Sequence, residues 1–198
     1  MKRIGGQILS LPDEEIAFIY NDLKGAAAKA FGYHTCIPEL LPRLAQQYDN
    51  FDPGNLVALL TMNYLVLQKG DAIYVPADGI HAYLSGDIVE YMARSNNVLN
   101  TGFCPRRGRN SVGLFTAALA FSPKSADDAI LKPKSSDKGR NGHTKLLAPP
   151  MSEFDMLMTE LKSKESEKIK ALQGPSIMVV TGGSGTMKVD GKEVEHWD

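Results

Sequence analysis

The residues whose types could do chemistry gather between Gly70 and Arg109, with His81 at their centre. His81 closes a Gly-x5-Pro-x4-His spacing that starts at Gly70 and passes through Pro76. A neutral imidazole can ligate a metal or move a proton near neutral pH. Tyr83 lies two residues further on, so in an extended segment it shares the face of His81. Glu90 then adds a carboxylate, Asn100 a neutral amide, and Arg106, Arg107 and Arg109 a run of cations. A catalytic zinc wants about three protein ligands and an open position. The chain contains no HxH, HxxE or QxH pair, and His34, His143 and His196 stand far apart, in contexts that read as a helix end, a polar loop and the chain end. By spacing alone, His81 reads either as one metal ligand or as a satisfied core histidine.

The elements that must position these residues change character along the chain. Ser10, Pro12 and Asp13 to Glu15 supply a capping hydroxyl, a first-turn proline and first-turn acids, predicting a helix to about Ala28 with Ile16, Ile19, Tyr20 and Leu23 on one face. A second helix is expected over Pro38–Tyr48, with Leu40, Leu41 and Leu44 in one stripe, then a polar turn over Asp49–Gly54 and a short helix over Asn55–Leu60. Near Met62 the period switches to alternation. Strands are expected at Asn63–Leu67, Ala72–Val75, Ile80–Leu84 and Asp87–Ala93, separated by Gly70, Pro76, Gly79 and Gly86. Short strands with such punctuation suggest an antiparallel sandwich or barrel.

Beyond them, Val112–Phe121 reads as a helix and Ser122–Pro150, rich in Lys, Ser, Asp, Gly and Pro, as a long surface loop. Phe154–Leu161 alternates as a strand, and Lys162–Leu172 is a charged, exposed stretch. Ser176–Thr181 and Gly185–Val189 are expected to pair as a hairpin about Gly182–Ser184, with Asp190-Gly191 a further turn into Glu193 and Val194. GGSGTMK is no phosphate loop, because it lacks the GxxxxGK[ST] spacing and no helix follows it.

Composition narrows the function classes. The 198 residues carry 22 basic and 23 acidic side chains, a formal net charge of −1, and are 43% hydrophobic. That balance fits a globular protein with no overall attraction to nucleic acid or anionic membrane. The N-terminal residues show no apolar leader core, and no apolar run approaches the ~18 residues of a membrane span. The two cysteines, Cys36 and Cys104, sit in no CxxC and read as free thiols of a reducing compartment.

The run HAYLSGDIVE at 81–90, followed by MARSNN at 92–97 and GFCPR at 102–106, resembles type I phosphomannose isomerase, a zinc enzyme of the cupin class, and is similar to its fungal branch in particular. The resemblance spreads more weakly into NYLVLQKGDAIYVPADG, APPMSEFDMLMTEL and SIMVVTGGSGTMKVDGKEVE. It implies a mainly β fold with an α-helical segment: a helical region over 1–61, then a cupin-like jelly-roll, present as a partial barrel, over 62–198. It implies interconversion of mannose 6-phosphate and fructose 6-phosphate by proton transfer between C2 and C1 through a cis-enediol. His81 then descends from a zinc ligand, Tyr83 and Glu90 border the sugar pocket, and Arg106 stands where most members have a phosphate-binding lysine.

Two positions depart from the family pattern. Asn100 occupies the place of an arginine regarded as catalytic, and Asn96 that of a frequent aspartate. No residue is assigned as the general base. The chain looks like roughly the C-terminal half of a family member, shortened at both ends, so a non-catalytic sugar-phosphate-binding remnant or interaction module is the alternative. A half-barrel of this kind exposes edges and apolar surface, predicting self-association or a partner chain. The resemblance implies a cytoplasmic setting and a role in GDP-mannose supply.

Overall fold

In the computed structural model, which describes residues 2–95, 98–120 and 125–197, the chain divides into two units: residues 1–133 with 147–156, and residues 134–146 with 157–198. Asn96 and the end of the expected helix at Phe121 lie outside the described residues.

The first unit is built on helices. These are α1 (Lys2–Leu9), α2 (Asp13–Gly25), α3 (Ile37–Gln47), α4 (Pro53–Thr61) and α5 (Val112–Ala118). Helix α1 is not foreseen in the sequence, where two glycines at 5 and 6 argue against it. Packing makes up the deficit: a Cβ on Gly6 would meet Thr116 Cγ2 of α5 at 3.3 Å, and Lys2 Nζ donates to Ala117 O at 2.9 Å. Ser10 does not cap α2 as expected. Its amide closes α1 by donating to Gly6 O, and α2 starts behind Pro12.

The stripes of α2 and α3 form the core with α4. Ile16, Tyr20, Ile37, Leu40, Leu41, Leu44, Leu56 and Leu59 are buried together, while Ile19 and Leu23 pack at its margin. Tyr20 buries its ring and donates its hydroxyl to Leu41 O at 2.7 Å, satisfying the one polar atom that burial would otherwise orphan. Burial also pushes the Tyr20 phenol above its ordinary range. Helix α4 begins earlier than expected because Asp52 accepts from Gly54 N at 2.8 Å, and Pro53 fits the first helical position.

The stretches expected as strands at 63–67, 72–75, 80–84 and 87–93 form no named strand. Ile73 makes one antiparallel bridge with Ile130, supported by Tyr74 N to Ala129 O at 2.9 Å and Leu131 N to Ala72 O at 2.8 Å. Alternation prepares a side-chain face, but a strand needs a neighbour along its whole edge. Ile88, Val89, Tyr91 and Met92 accordingly stay exposed.

The second unit carries the sheets. Strands β1 (Lys134–Ser135), β2 (Thr144–Leu147) and β3 (Met156–Thr159) lie in that order, with β1 and β2 antiparallel. They break into the expected 122–150 loop at 134–135 and 144–147. Strands β4 (Gly185–Val189) and β5 (Lys192–Trp197) form an antiparallel hairpin with a register shift between Met187 and Lys188. The partner of β4 therefore differs from the expected 176–181. Asp190 and Gly191 both adopt positive φ, 50° and 77°, the geometry of the tightest hairpin turn. That two-residue closure joins β4 to the residues after it, while Ile177, Met178, Val179 and Val180 remain exposed. Mixed helices and small antiparallel sheets make up the fold, with no closed barrel among the described residues.

Candidate functional site

The expected site residues fall in the first unit, where two of them share a cleft. His81 and Asn100 line a small cavity of about 80 Å³ whose other walls include Leu9, Val57, Thr101 and Phe115. The cavity brings together α1, α4, α5 and the two extended segments around 81 and 100. Most of its lining side chains are apolar, and an imidazole, an amide and a hydroxyl are the polar ones.

The imidazole has one local backbone contact. Its Nδ1 lies 3.1 Å from Gly79 O, and because a carbonyl can only accept, this contact favours the tautomer with the proton on Nδ1. In the neutral ring Nε2 then holds the lone pair needed to accept a proton or bind a metal. The His81 ring meets Tyr83 edge-on at 5.7 Å between centroids. Tyr83 in turn donates its hydroxyl to Glu90 Oε1 at 3.1 Å. Burial first, and then the hydrogen bond and charge of Glu90, push the Tyr83 phenol above its ordinary range, so it remains a donor at neutral pH. His81, Tyr83 and Glu90 thus form a chain of side-chain contacts.

The residues that follow Asn100 are anchored to the helical core. The segment that follows it is docked onto the start of α4 by Asp52, which is 4% exposed in its side chain. Asp52 Oδ1 caps Gly54 N and also accepts from Phe103 N at 3.0 Å, while Oδ2 pairs with Arg109 Nη2 at 2.7 Å. Arg109 Nε donates to Cys104 O at 2.9 Å, and Phe103 stacks on Tyr48 at 4.2 Å. A Cβ on Gly102 would lie 2.6 Å from Gly54 Cα, so glycine is required for this approach.

Two cations of the 106–109 run are engaged elsewhere. Arg109 is the buried partner of Asp52, and Arg106 pairs with Asp13 at the start of α2. Neither arginine lines the cleft with His81. Sequence reasoning places Asp52 only in a polar turn, although Asp-Pro ahead of an apolar run carries the signal of a helix cap followed by a first-turn proline.

The residues do not fit a zinc centre by themselves. Among the described residues no group of three His, Cys, Asp or Glu side chains converges as metal ligands. His81 offers one nitrogen, and a catalytic zinc wants about three protein ligands.

Comparison with known proteins accords with the motif reading. Residues 146–192 match the family described as Phosphomannose isomerase type I C-terminal. Three curated relatives, each named mannose-6-phosphate isomerase, align with most of the chain. The protein of Ogataea parapolymorpha is 36% identical over 158 residues, 79% of this chain and 36% of the relative. That of Candida albicans is 38% identical over 161 residues, again 79% of this chain and 36% of the relative. That of Saccharomyces cerevisiae is 34% identical over 161 residues, 80% of this chain and 37% of the relative. The chain therefore spans little more than a third of the length of the relatives it matches. By these matches the chain is similar to part of the fungal mannose-6-phosphate isomerases, and its residues 146–192 to the type I phosphomannose isomerase C-terminal family.

Proposed function

We propose that this chain acts as the C-terminal part of a mannose-6-phosphate isomerase, interconverting mannose 6-phosphate and fructose 6-phosphate within a larger assembly of polypeptide. The observation that carries this reading is the meeting of His81 and Asn100 in one cleft, with the Tyr83–Glu90 pair in contact with His81. An aldose–ketose isomerisation needs proton transfer between C2 and C1 and a hold on the sugar hydroxyls. Glu90 can accept from a hydroxyl, Tyr83 can donate to one, and Nε2 of His81 can take a proton. Arg106 serves the phosphate only if it leaves Asp13, a surface pair that costs about 1 kcal/mol or less to break.

The same reading includes a cupin-like jelly-roll over 62–198, with 1–61 as a helical region, completed by polypeptide that pairs with the unladdered stretches at 72–93. The zinc that the family resemblance implies would require donors besides His81, so no catalytic step is assigned to it. Among the described residues no helix is long and apolar enough to cross a membrane, and a cytoplasmic role in supplying GDP-mannose fits the reading.

A second reading, a non-catalytic sugar-phosphate-binding remnant or interaction module, is favoured by one observation: the cleft position resembling the family's arginine presents the uncharged Asn100. A chimera separates the two readings. Residues of the Saccharomyces cerevisiae relative that align with this chain are replaced by their counterparts here, and turnover of mannose 6-phosphate is measured. Turnover lost on His81→Ala supports the isomerase. A folded chimera that is inactive, and that gains activity on Asn100→Arg, supports the remnant.

A further inference from the structure

The segment that carries His81 belongs to no strand, yet it is fixed to the helical core at three points just beyond the histidine. Leu84 packs its side chain against the cluster formed by α2, α3 and α4. Gln47 Nε2, in the last turn of α3, donates to Leu84 O at 2.9 Å. Arg43 Nη2, one turn earlier on the same helix face, donates to Ser85 Oγ at 2.8 Å.

Arg43 is itself held. Its other terminal nitrogen donates to Tyr64 OH, and its guanidinium lies 5.8 Å from the Tyr64 ring centroid. Tyr64 donates its hydroxyl to Glu39 Oε1 at 2.8 Å, and Glu39 pairs with Arg43 at 3.7 Å. Glu39, Arg43 and Gln47 recur every four residues, so one stripe of α3 presents all three. A planar guanidinium can bind two oxygens in a fixed geometry, here a phenol and a serine hydroxyl, which a lysine cannot reproduce.

We infer that α3 is the positioning element of the candidate site: Arg43 and Gln47 clamp Leu84 and Ser85 and thereby fix the His81 ring against Gly79 O and Tyr83. These are positioning residues, since they touch neither cleft nor substrate and act through His81. The latch stands in for a strand ladder, as Gln47 reaches a carbonyl of a backbone that has no neighbouring strand and Arg43 reaches the side-chain hydroxyl of the next residue. The inference rests on the proposed function only for the use made of His81. Its test reads the imidazole directly, so a chain without isomerase activity leaves it standing.

The 198-residue chain is labelled with 15N, and the His81 ring shifts and the backbone order parameters of residues 82–86 are measured in wild type, Arg43→Ala/Gln47→Ala, Arg43→Lys and Ser85→Ala. In wild type the ring shows the Nδ1–H tautomer and the segment an order parameter near ~0.85. The double variant loses the Nδ1–H preference, and the segment falls below ~0.6. Ser85→Ala, which removes one acceptor outside the core, moves both signals part of the way, and Arg43→Lys restores less than the full wild-type values. If the double variant unfolds α3 by far-ultraviolet circular dichroism, Ser85→Ala decides alone. An unchanged tautomer and unchanged order parameters in the folded variants overturn the inference.

Discussion

Residues 2–61 and residues 62–95 carry comparable proportions of apolar side chain and use them in opposite ways. In the first stretch the apolar positions recur at helical spacing and are buried against one another within sixty residues of sequence. In the second they alternate, and Val66, Ile88, Val89, Tyr91 and Met92 remain exposed. A helix closes its own backbone hydrogen bonds and needs only one partner face. A strand leaves all of its backbone bonds to neighbours, which can come from far away in the chain or from outside it. The extended stretch is therefore held by side-chain latches from the helices, and the candidate site sits where those latches end.

This contrast can be broken most severely at Asp52, which ties the Phe103 loop to α4. Asp52→Ala leaves Arg109 buried without its partner and removes a helix cap, so a loss of about 3–5 kcal/mol is expected in urea unfolding of the chain. A loss under about 1 kcal/mol would show that the loop is not anchored there. Leu44, fully buried in the helical core, comes next. Leu44→Ala is expected to cost about 2–5 kcal/mol by the same measurement. An equivalent truncation of exposed Met92 should fall within about 0.5 kcal/mol, and similar costs at the two positions would erase the distinction between the regions.

Much of the helical part was legible from local signals: the stripe of Leu40, Leu41 and Leu44, and the acidic first turn of α2. The start of α4 lies two residues ahead of its apolar pattern because Asp52, polar by type and turn-like in sequence, serves with its carboxylate both a cap and a distant loop. The hairpin was legible at Asp190-Gly191, where residue type sets the turn, but not at Ile177–Val180, whose apolar run does not name its partner. At the site, His81, Tyr83, Glu90 and Asn100 stood out by type and motif. Arg43 and Gln47 did not, because the segment they hold lies about forty residues away in sequence and no local pattern connects the two.

The second unit offers a milder, pH-driven comparison. Glu167 accepts from the backbone amides of Asn141, His143 and Lys168, each at 2.8 Å, and from Thr144 Oγ1 at 3.2 Å. These bonds, with the Asn141 amide foremost, hold its carboxyl down from 4.5 to about 2. A depressed carboxyl stabilises the fold fully above its unfolded value and loses that contribution as pH falls through the folded one. Amide protection around 139–144 is therefore expected to decline between pH 4.5 and 2, and Glu167→Gln should lower it at neutral pH and remove that dependence. Protection in α3 should not follow the same curve. A common curve would mean that the two units do not respond separately.

A small effect is also expected at Arg106. Its pair with Asp13 is solvent-exposed, so Arg106→Ala should change stability by about 0–1 kcal/mol. A larger loss would make that pair a structural link of the helical region.

The claim that organises all of this is that the chain contributes one wall of an isomerase site and no complete metal centre. It is tested most directly by measuring zinc content and mannose 6-phosphate turnover on one sample of the purified 198-residue chain, beside His81→Ala. The account predicts no stoichiometric zinc and no turnover in either protein. About one zinc per chain, lost together with turnover on His81→Ala, would contradict it.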